Sequence, residues 1–340
     1  MKNRIFFMTA LSLLSIVVML SSCNKKSDNN LHKLMGKTQG TYYAVTYYSD
    51  DTTNLQNEID SLLIAFDGVF STFNPNSLVS KINRNETDTI TDSLFVEVWN
   101  KSMEISELSG GDFDITVAPL INIWGFGNIE KKDNVSKSQI DSVLKITGYK
   151  KIQLVDNKIV KSDANIQINF NAIAQGFSVD LLGEYLISKG IDNFLVDIGG
   201  EIWAKGTKPD GKEWILAIEK PAKDKDDDRD IQIQFPLKDK SISTSGSYRK
   251  YYEENGIRYS HTINPHTGFP VEHSLLSVSV IHDNCMTADA LCTMFMVKGL
   301  DNSLDFLKQY PELPVYFIYS DSSGNIQTTE TDAFSKLIAD

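Results

Sequence analysis

The chain has 340 residues, of which 45 are Asp or Glu and 33 are Lys or Arg, so its formal net charge at pH 7 is −12. Such an acidic balance disfavours nucleic acid as a partner and also disfavours a polybasic membrane-binding surface. The composition, 41% hydrophobic, is that of an ordinary globular protein with enough residues for one large domain or two fused lobes.

The N-terminus has the pattern of a bacterial lipoprotein export signal. Lys2 and Arg4 precede an apolar run that ends in Leu20-Ser21-Ser22-Cys23. The alternatives are an ordinary signal peptide or a transmembrane anchor, but the run is short for a full membrane span and its small residues lead directly to a cysteine. We therefore expect residues 1–22 to be removed and Cys23 to carry lipid chains, palmitate among them.

This interpretation also divides the mature chain. We expect a polar tether at residues 23–34 and one catalytic unit at residues 35–340, held in the cell envelope by the lipid and facing the periplasm in a Gram-negative cell.

The two other cysteines, Cys285 and Cys292, stand seven residues apart across a predicted helix start. Export permits a disulfide, but this spacing does not require one, and we expect both to be small buried residues.

The first half of the mature chain alternates strands and helices. Polar residues alternate with β-branched and aromatic ones over residues 37–48, which predicts a strand, and a helix with apolar helical spacing follows and ends near residue 70. A second helix is predicted near residues 92–108, ended by Gly110-Gly111, and a third over residues 136–146 with Ser136 as its N-cap.

The second half is richer in strands. Strands are predicted at 151–154, 166–170, 193–197, 214–219, 231–235 and 276–281, and helices at 172–189 and 286–297. The elements mix without strict β-α-β alternation. This order favours an α+β fold with mixed, mostly antiparallel sheets packed with helices.

Two segments near the C-terminus carry the residue types of a polar ligand site. In the first, Pro265 and Gly268 form a turn that also contains His261 and His266. In the second, Asp289 and Thr293 stand four apart on a predicted helix, which places two hard oxygen atoms on one face, as a magnesium site needs. A helix-capping carboxylate and a back-bonding threonine explain the same spacing, and on spacing alone this structural interpretation is favoured.

Other segments also have residue types that suit a ligand site, but each has a structural explanation as well. Residues 169–177 lead a strand into a helix through small residues, which suits either a phosphate at the helix N-terminus or close helix-sheet packing, and by itself the packing interpretation is favoured. Gly199-Gly200-Glu201 suits a plain turn or close backbone approach to a ligand, and 243–249 suits an anion site or a Ser/Thr-rich turn. Asp112 and Asp114 suit turn formation or hydrogen bonds to a heterocycle or ribose.

Taken in order, these elements resemble the motifs of the ApbE family of FAD:protein FMN transferases, over nearly the whole mature chain. The segments that carry the resemblance are Gly36-Lys37-Thr38-Gln39-Gly40-Thr41, Ser71-Thr72-Phe73-Asn74, Asp112-Phe113-Asp114, Trp124-Gly125-Phe126-Gly127, Ile173-Ala174-Gln175-Gly176, Gly199-Gly200-Glu201, Thr244-Ser245-Gly246, the His261 turn and Thr287-Ala288-Asp289. The resemblance implies a T-fold-like catalytic unit. It also implies Mg²⁺-dependent cleavage of FAD, transfer of FMN through a phosphoester to a Thr or Ser of a target flavoprotein, and release of AMP.

The family pattern, carried over residue by residue, implies specific roles. Side chains of Asp289 and Thr293 are expected to bind Mg²⁺, together with the backbone carbonyls of Ala172 and Cys292. Contacts with FAD are expected from Gln39, Asp112, Phe113, Asp114, Asn169, Gln175 and Ile263. The chain departs from the pattern where the family often has Asp in place of Asn169, Lys or Glu in place of Gln175, and Asp in place of Asn264.

Transfer also needs a base for the incoming hydroxyl. An imidazole with an unperturbed pKa of about 6.5 serves near neutral pH, so we assign this role to His261, with His266 as the rival. Two other functions remain open at this stage: an FAD pyrophosphatase that gives FMN and AMP, and a non-catalytic FAD-binding lipoprotein. The sequence does not identify the acceptor protein, the membrane, the oligomeric state or the choice between magnesium and manganese.

Overall fold

The computed structural model describes residues 30–127, 135–221, 230–247, 251–254 and 257–339. Its centre is one antiparallel sheet of eight strands in the order β1-β2-β5-β6-β9-β12-β13-β14. These strands are β1 (Asn30–Thr38), β2 (Thr41–Ser49), β5 (Phe194–Ile198), β6 (Glu201–Lys205), β9 (Lys240–Gly246), β12 (Leu275–His282), β13 (Val315–Ser320) and β14 (Ile326–Glu330). Three further antiparallel pairs are β3 (Ile152–Val155) with β4 (Lys158–Lys161), β7 (Trp214–Glu219) with β8 (Ile231–Leu237), and β10 (Tyr251–Glu254) with β11 (Ile257–Ser260).

The helices lie between the strands along the chain. In the described residues they are α1 (Gln56–Phe70), α2 (Leu78–Asn83), α3 (Ser93–Ser109), α4 (Ala118–Ile123), α5 (Lys137–Leu144), α6 (Ala174–Ser188), α7 (Cys285–Lys298), α8 (Leu300–Leu307) and α9 (Asp332–Ala339). The predicted caps are confirmed: Gly110 ends α3 in the left-handed conformation, and Ser136 forms a capping box at the start of α5. The predicted α+β class with mostly antiparallel sheet is confirmed.

The two faces of the central sheet are covered differently. On the inner face, Tyr43, Val45 and Tyr47 of β2 pack against α1 and α6. The helix α7 lies on the same face, where its thiols Cys285 and Cys292 approach the β9 carbonyls. It is buried on nearly all sides, and Asp289 is among its buried residues. On the outer face, β7, β8 and α9 cover the centre of the sheet.

Three sequence expectations need correction. The strand predicted over residues 37–48 is a hairpin of β1 and β2, and β1 starts at Asn30, so residues 30–34 belong to the sheet and not to the tether. Residues 166–170 do not form the predicted strand: within the described ranges, Ile168 bonds to the Asn83 side chain and the amide of Asn169 to the Ile115 carbonyl. Residues 243–246 lie in β9, not in a Ser/Thr-rich turn.

The predicted signal peptide and Cys23 lie outside the described residues. Within the described ranges, no helix combines the length and apolar character that crossing a bilayer requires. Both Cys285 and Cys292 are free and buried, as predicted.

Candidate active site

The site begins where two helices cap each other. The backbone amide of Gly176, in the first turn of α6, donates to Oδ2 of Asp289 in α7 at 3.0 Å. In return, Asp180 of α6 accepts from the amides of Cys285 at 2.7 Å and Met286 at 2.8 Å, at the start of α7. First-turn amides lack partners within their own helix and carry the positive end of its dipole, so each buried carboxylate stabilises the neighbouring helix terminus.

Close contact between the helices depends on one glycine. A β-carbon at Gly176 would lie 2.7 Å from the carbonyl carbon of Cys285 and 2.8 Å from Cβ of Asp289, well inside van der Waals distance. Only a residue without a side chain lets the Gly176 amide reach the Asp289 carboxylate. The small residue at position 176 therefore serves close packing between two helices, not the helix-sheet packing considered from the sequence, and a phosphate at this helix N-terminus stays a prediction.

A second carboxylate joins this group from the sheet. Glu201, the first residue of β6, is buried, and its Oε1 accepts from the Ser243 hydroxyl at 3.3 Å. Its Oε2 accepts from Nε2 of Gln175, which also donates to the Ile198 carbonyl at 2.8 Å. We call Gln175, Glu201 and Asp289 the acid cluster. The sequence predictions assign no role to this carboxylate, although an acid that follows a buried strand and two glycines is a signal of a site.

Without a cation, the ionised forms of the two carboxyl groups in the acid cluster are electrostatically unfavourable. Burial raises the pKa of the Asp289 carboxyl, and the amide of Gly176 acts in the opposite direction. Burial and the negative charge of Asp289 together raise the pKa of Glu201 well above its ordinary value. Desolvation disfavours an ionised carboxylate, and a second negative charge nearby adds to this effect. Two buried acids that destabilise each other's charged forms fit a site for a positive ion.

The predicted donor set for Mg²⁺ fits this location. Asp289 and Thr293 lie one helical turn apart on α7, and Thr293 is partly exposed while Asp289 is buried. Together with the carbonyls of Ala172 and Cys292, they would offer only hard oxygen donors, which Mg²⁺ prefers. The described residues hold no cluster of three His, Cys, Asp or Glu side chains suited to a metal, so any metal here would depend on hydroxyl and carbonyl oxygens.

The turn between β1 and β2 places Gln39 beside the acid cluster. Gln39 has a positive φ of 50°, and its buried Nε2 has no hydrogen-bond partner among the described residues. The strands bring this turn close to Gly199, whose amide donates to the Tyr42 carbonyl at 3.0 Å, and a side chain on Gly199 would overlap Gln175. A buried donor without an acceptor fits a bound ligand, so Gln39 stays a predicted FAD contact.

The turn between β11 and β12, residues 261–271, forms the second part of the site, and we call it the His turn. The side chain of Asn264 accepts from the amides of His266 at 2.8 Å and Thr267 at 3.1 Å, and its carbonyl accepts from Gly268 at 2.8 Å. The indole of Trp124 donates to the Gly268 carbonyl at 2.7 Å. Asn264 therefore holds the turn by the same acceptor oxygen that an Asp would supply.

Its two imidazoles lie in different surroundings. His266 is half exposed, and its Nε2 lies 3.1 Å from Oδ1 of Asp112. Oδ2 of Asp112 is 2.5 Å from the ammonium of Lys298 at the end of α7, so one carboxylate joins the His turn to the metal-site helix. His261 is partly buried, and its ring centroid lies 6.4 Å from that of Phe126 in an edge-on arrangement.

Several predicted FAD contacts have side chains that are occupied within the fold. Asp114 is buried and accepts from Thr116 and from the Tyr149 amide; these bonds lower the pKa of its carboxyl, but burial raises it by more. Phe113 is 1% exposed in the largest hydrophobic cluster, and Ile263 is buried. Oδ1 of Asn169 accepts from the amide two residues later at 2.7 Å. All four stay predictions as ligand contacts.

Comparison with known proteins identifies the family of the chain. The model of the ApbE family matches residues 39–317. The chain is 35% identical over 324 residues to the FAD:protein FMN transferase of Vibrio cholerae, covering 92% of this chain and 93% of that protein, and 30% identical over 327 residues to the enzyme of the same name from Escherichia coli, covering 91% and 92%.

Solved structures of flavin transferases have the same fold. The flavin transferase ApbE from Vibrio cholerae superimposes with a TM-score of 0.80 at 32% identity, over 91% of this chain and 99% of that one. The apo form of the flavinyl transferase ApbE from Pseudomonas stutzeri gives 0.81 at 33% identity, over 92% and 98%. The family match spans most of the chain and the relatives align over nearly their full length. The chain therefore belongs to the ApbE family and is a transferase.

Proposed function

We propose that the protein is a Mg²⁺-dependent FAD:protein FMN transferase. The observation that carries this proposal is the acid cluster, in which two buried carboxylates meet beside the N-terminus of α6. The Gln39 amide nitrogen, which has no hydrogen-bond partner within the described part of the chain, also supports it. Relatives that carry the name FAD:protein FMN transferase share the fold over nearly the whole chain. The name of these relatives supports FAD as the substrate and a protein as the acceptor, and we propose a Thr or Ser of a flavoprotein as the acceptor residue.

In this proposal, the metal is held by Asp289, Thr293 and the carbonyls of Ala172 and Cys292. When bound, it would neutralise charge on the pyrophosphate of FAD and on the departing phosphate. The protein supplies the surroundings: the Gly176 amide keeps the Asp289 carboxylate in place, and Gln175 fixes the orientation of Glu201. Because these groups are buried and bonded before substrate arrives, little reorganisation is needed during the reaction.

The His turn supplies the general base for the acceptor hydroxyl. The acceptor hydroxyl oxygen forms a bond to the FMN phosphorus, the bond from that phosphorus to the bridging oxygen breaks, and AMP leaves with that oxygen. His261 accepts the hydroxyl proton as the general base. Its partly buried position against Phe126 limits its exchange with solvent, whereas the half-exposed His266 is bonded to Asp112.

A mass-spectrometric assay tests the function. The protein is incubated with FAD, Mg²⁺ and a candidate flavoprotein, with a matched acceptor in which the target Thr is replaced by Val. We expect the acceptor to gain one FMN by phosphoester, one AMP to be released per adduct, and the Thr→Val acceptor to stay unmodified. Free FMN and AMP without an adduct would instead identify an FAD pyrophosphatase, and intact FAD would identify a binding protein without chemistry.

We further propose that Cys23 is lipidated and anchors the protein in the bacterial cell envelope. The proposal is supported by the apolar run ending in Leu20-Ser21-Ser22-Cys23. The intact mass of the membrane-extracted protein should correspond to a chain that starts at Cys23 and carries acyl chains. A Cys23→Ser variant should lack that added mass and leave the membrane fraction.

A further inference from the structure

One end of the outer sheet face is left open. β7, β8 and α9 cover the centre of this face, but at the β1 edge three large apolar side chains are exposed: Leu31 at 50%, Met35 at 70% and Tyr42 at 63%. Side chains in a strand alternate between faces, so Leu31 and Met35 share the outer face with Lys33 and Lys37. We call Leu31, Lys33, Met35, Lys37 and Tyr42 the edge strip.

The charge of the edge strip differs from that of the whole protein. The net charge is −12, yet β1 and β2 contain no Asp or Glu, and the strip adds two lysines. The ammonium of Lys37 lies 5.8 Å from the centroid of the Tyr42 ring, so the cation and the aromatic ring form one amphipathic patch. Asp197 on the neighbouring strand β5 shares this face, and its carboxylate accepts from the Gly200 amide.

Apolar side chains beside lysines suit the boundary between phospholipid headgroups and acyl chains. Lysine stems lie along apolar surface while their ammonium groups reach phosphate, and aromatic rings with a polar tip favour this depth. Each lysine close to an anionic leaflet adds attraction, whereas an acidic residue would add repulsion. The net charge of the whole chain does not describe this strip, because surface charges are screened within about 10 Å.

The edge strip is also close to the proposed anchor along the chain. β1 starts at Asn30, seven positions after Cys23. Even fully extended, seven residues span only about 24 Å. The strand that follows the anchor most directly is therefore the one whose outer face carries the exposed apolar side chains.

We propose that the edge strip lies on the anionic phospholipid bilayer that holds the lipid of Cys23. This proposal depends on the lipidation proposed above and goes beyond it, because an anchor alone would not orient the domain. The acid cluster, together with α1, α6 and α7, lies on the inner face of the sheet. Contact through the outer face would therefore turn the active site away from the bilayer, towards the surrounding solvent.

The chain offers a matched control for this orientation. Ile64 on α1 is 72% exposed, comparable to Met35, but α1 packs on the inner face of the same strands. Ile64 is part of a helix and lies on the side of the sheet opposite to the edge strip. A side chain that is equally apolar and equally exposed should therefore stay in water if the edge strip is the membrane contact.

Spin labelling of the lipidated full-length mature protein tests the proposal. A nitroxide is attached at Met35→Cys or, in the control protein, at Ile64→Cys; the natural Cys285 and Cys292 are fully buried and should not react. Each protein is reconstituted into phosphatidylcholine vesicles with and without phosphatidylglycerol. Collisions of the label with dissolved oxygen and with a water-soluble nickel chelate are then measured, and the intact mass confirms the lipid on Cys23.

We expect the label at position 35 to lose contact with the nickel chelate and gain contact with oxygen, more so with phosphatidylglycerol, while the label at position 64 stays accessible to nickel. Lys33→Glu should reduce the protection of position 35 in the anionic vesicles. Equal nickel access at both positions in a lipidated protein would overturn the proposal while leaving the anchor intact. Protection at position 35 in detergent, without vesicles, would instead indicate a second copy on the strip, and an unlipidated mass would refute both the anchor and the orientation.

Discussion

The acid cluster and the His turn differ in how they are built. The carboxylates of the acid cluster are buried, and their positions depend on the contact between α6 and α7. The His turn is held by local bonds from Asn264 and Trp124, and it keeps His266 half exposed. Burial suits a metal site because weak screening strengthens the hold on a cation, whereas a group that exchanges protons with a protein acceptor must lie within its reach. Each region can be disturbed separately.

The largest effect is expected from Asp289→Asn. The amide oxygen can still accept from Gly176, so the helix contact should survive, but the charge that attracts Mg²⁺ is lost. We expect transfer to fall by about 1,000-fold, since a metal ion contributes several kcal/mol to the transition state. FMN transfer is measured against Mg²⁺ concentration, with thermal unfolding as the control for folding. Activity close to wild type at low Mg²⁺ would remove Asp289 from the metal site.

The next largest effect concerns the two imidazoles, which we expect to differ in their contribution to transfer. His261→Ala should reduce transfer by about 100-fold or more, the contribution of a general base, while FAD binding is retained. His266→Ala breaks a partly exposed pair with Asp112, and such pairs contribute about 0–1 kcal/mol, so the loss should stay below about fivefold. Single-turnover rates and FAD affinity are compared for both variants. The opposite order would make His266 the base.

A smaller effect should come from Gly176→Ala, which separates the two helices without changing any charge. The added methyl group would meet the Cys285 carbonyl and Cβ of Asp289, so α6 and α7 must move apart. Such overpacking costs about 1–3 kcal/mol of folding free energy. We expect lower unfolding free energy together with weaker Mg²⁺ dependence of transfer. Gly68→Ala in α1, where the added methyl also lies in a helix but meets no neighbour within 4 Å, controls for the general effect of replacing a helical glycine.

The last prediction concerns stability and not transfer, through Asp180 and pH. Burial raises the pKa of the Asp180 carboxyl from 3.8 to about 7, although its bonds to Met286 and Cys285 act in the opposite direction. The stabilisation from this raised pKa is complete below pH 3.8 and is lost as the pH rises through about 7. Wild-type stability relative to Asp180→Asn should therefore fall across this window. Urea unfolding at several pH values measures the difference; a constant difference would contradict the raised pKa.

Local patterns predicted much of the fold. Apolar spacing gave α1, α3 and α7 close to their observed bounds, and the caps of α3 and α5 lie at the predicted Gly110 and Ser136. These features depend on residues a few positions apart, which a sequence displays directly. One error is the hairpin of β1 and β2, predicted as a single strand, and the other two involve contacts between segments distant in the chain. The predicted strand at 166–170 has suitable residues, but its partners are the side chain of Asn83 and the Ile115 carbonyl.

The sequence by itself determined the family resemblance, the pair of Asp289 and Thr293 on one helix face, and a turn rich in polar groups around His261, because all three are local patterns. Only the tertiary structure decided that Glu201 joins Asp289, that Gly176 is a helix contact, and that Asp112 bonds Lys298 and His266. Burial and charge coupling arise when segments far apart in the chain are desolvated together, and no single segment carries that information.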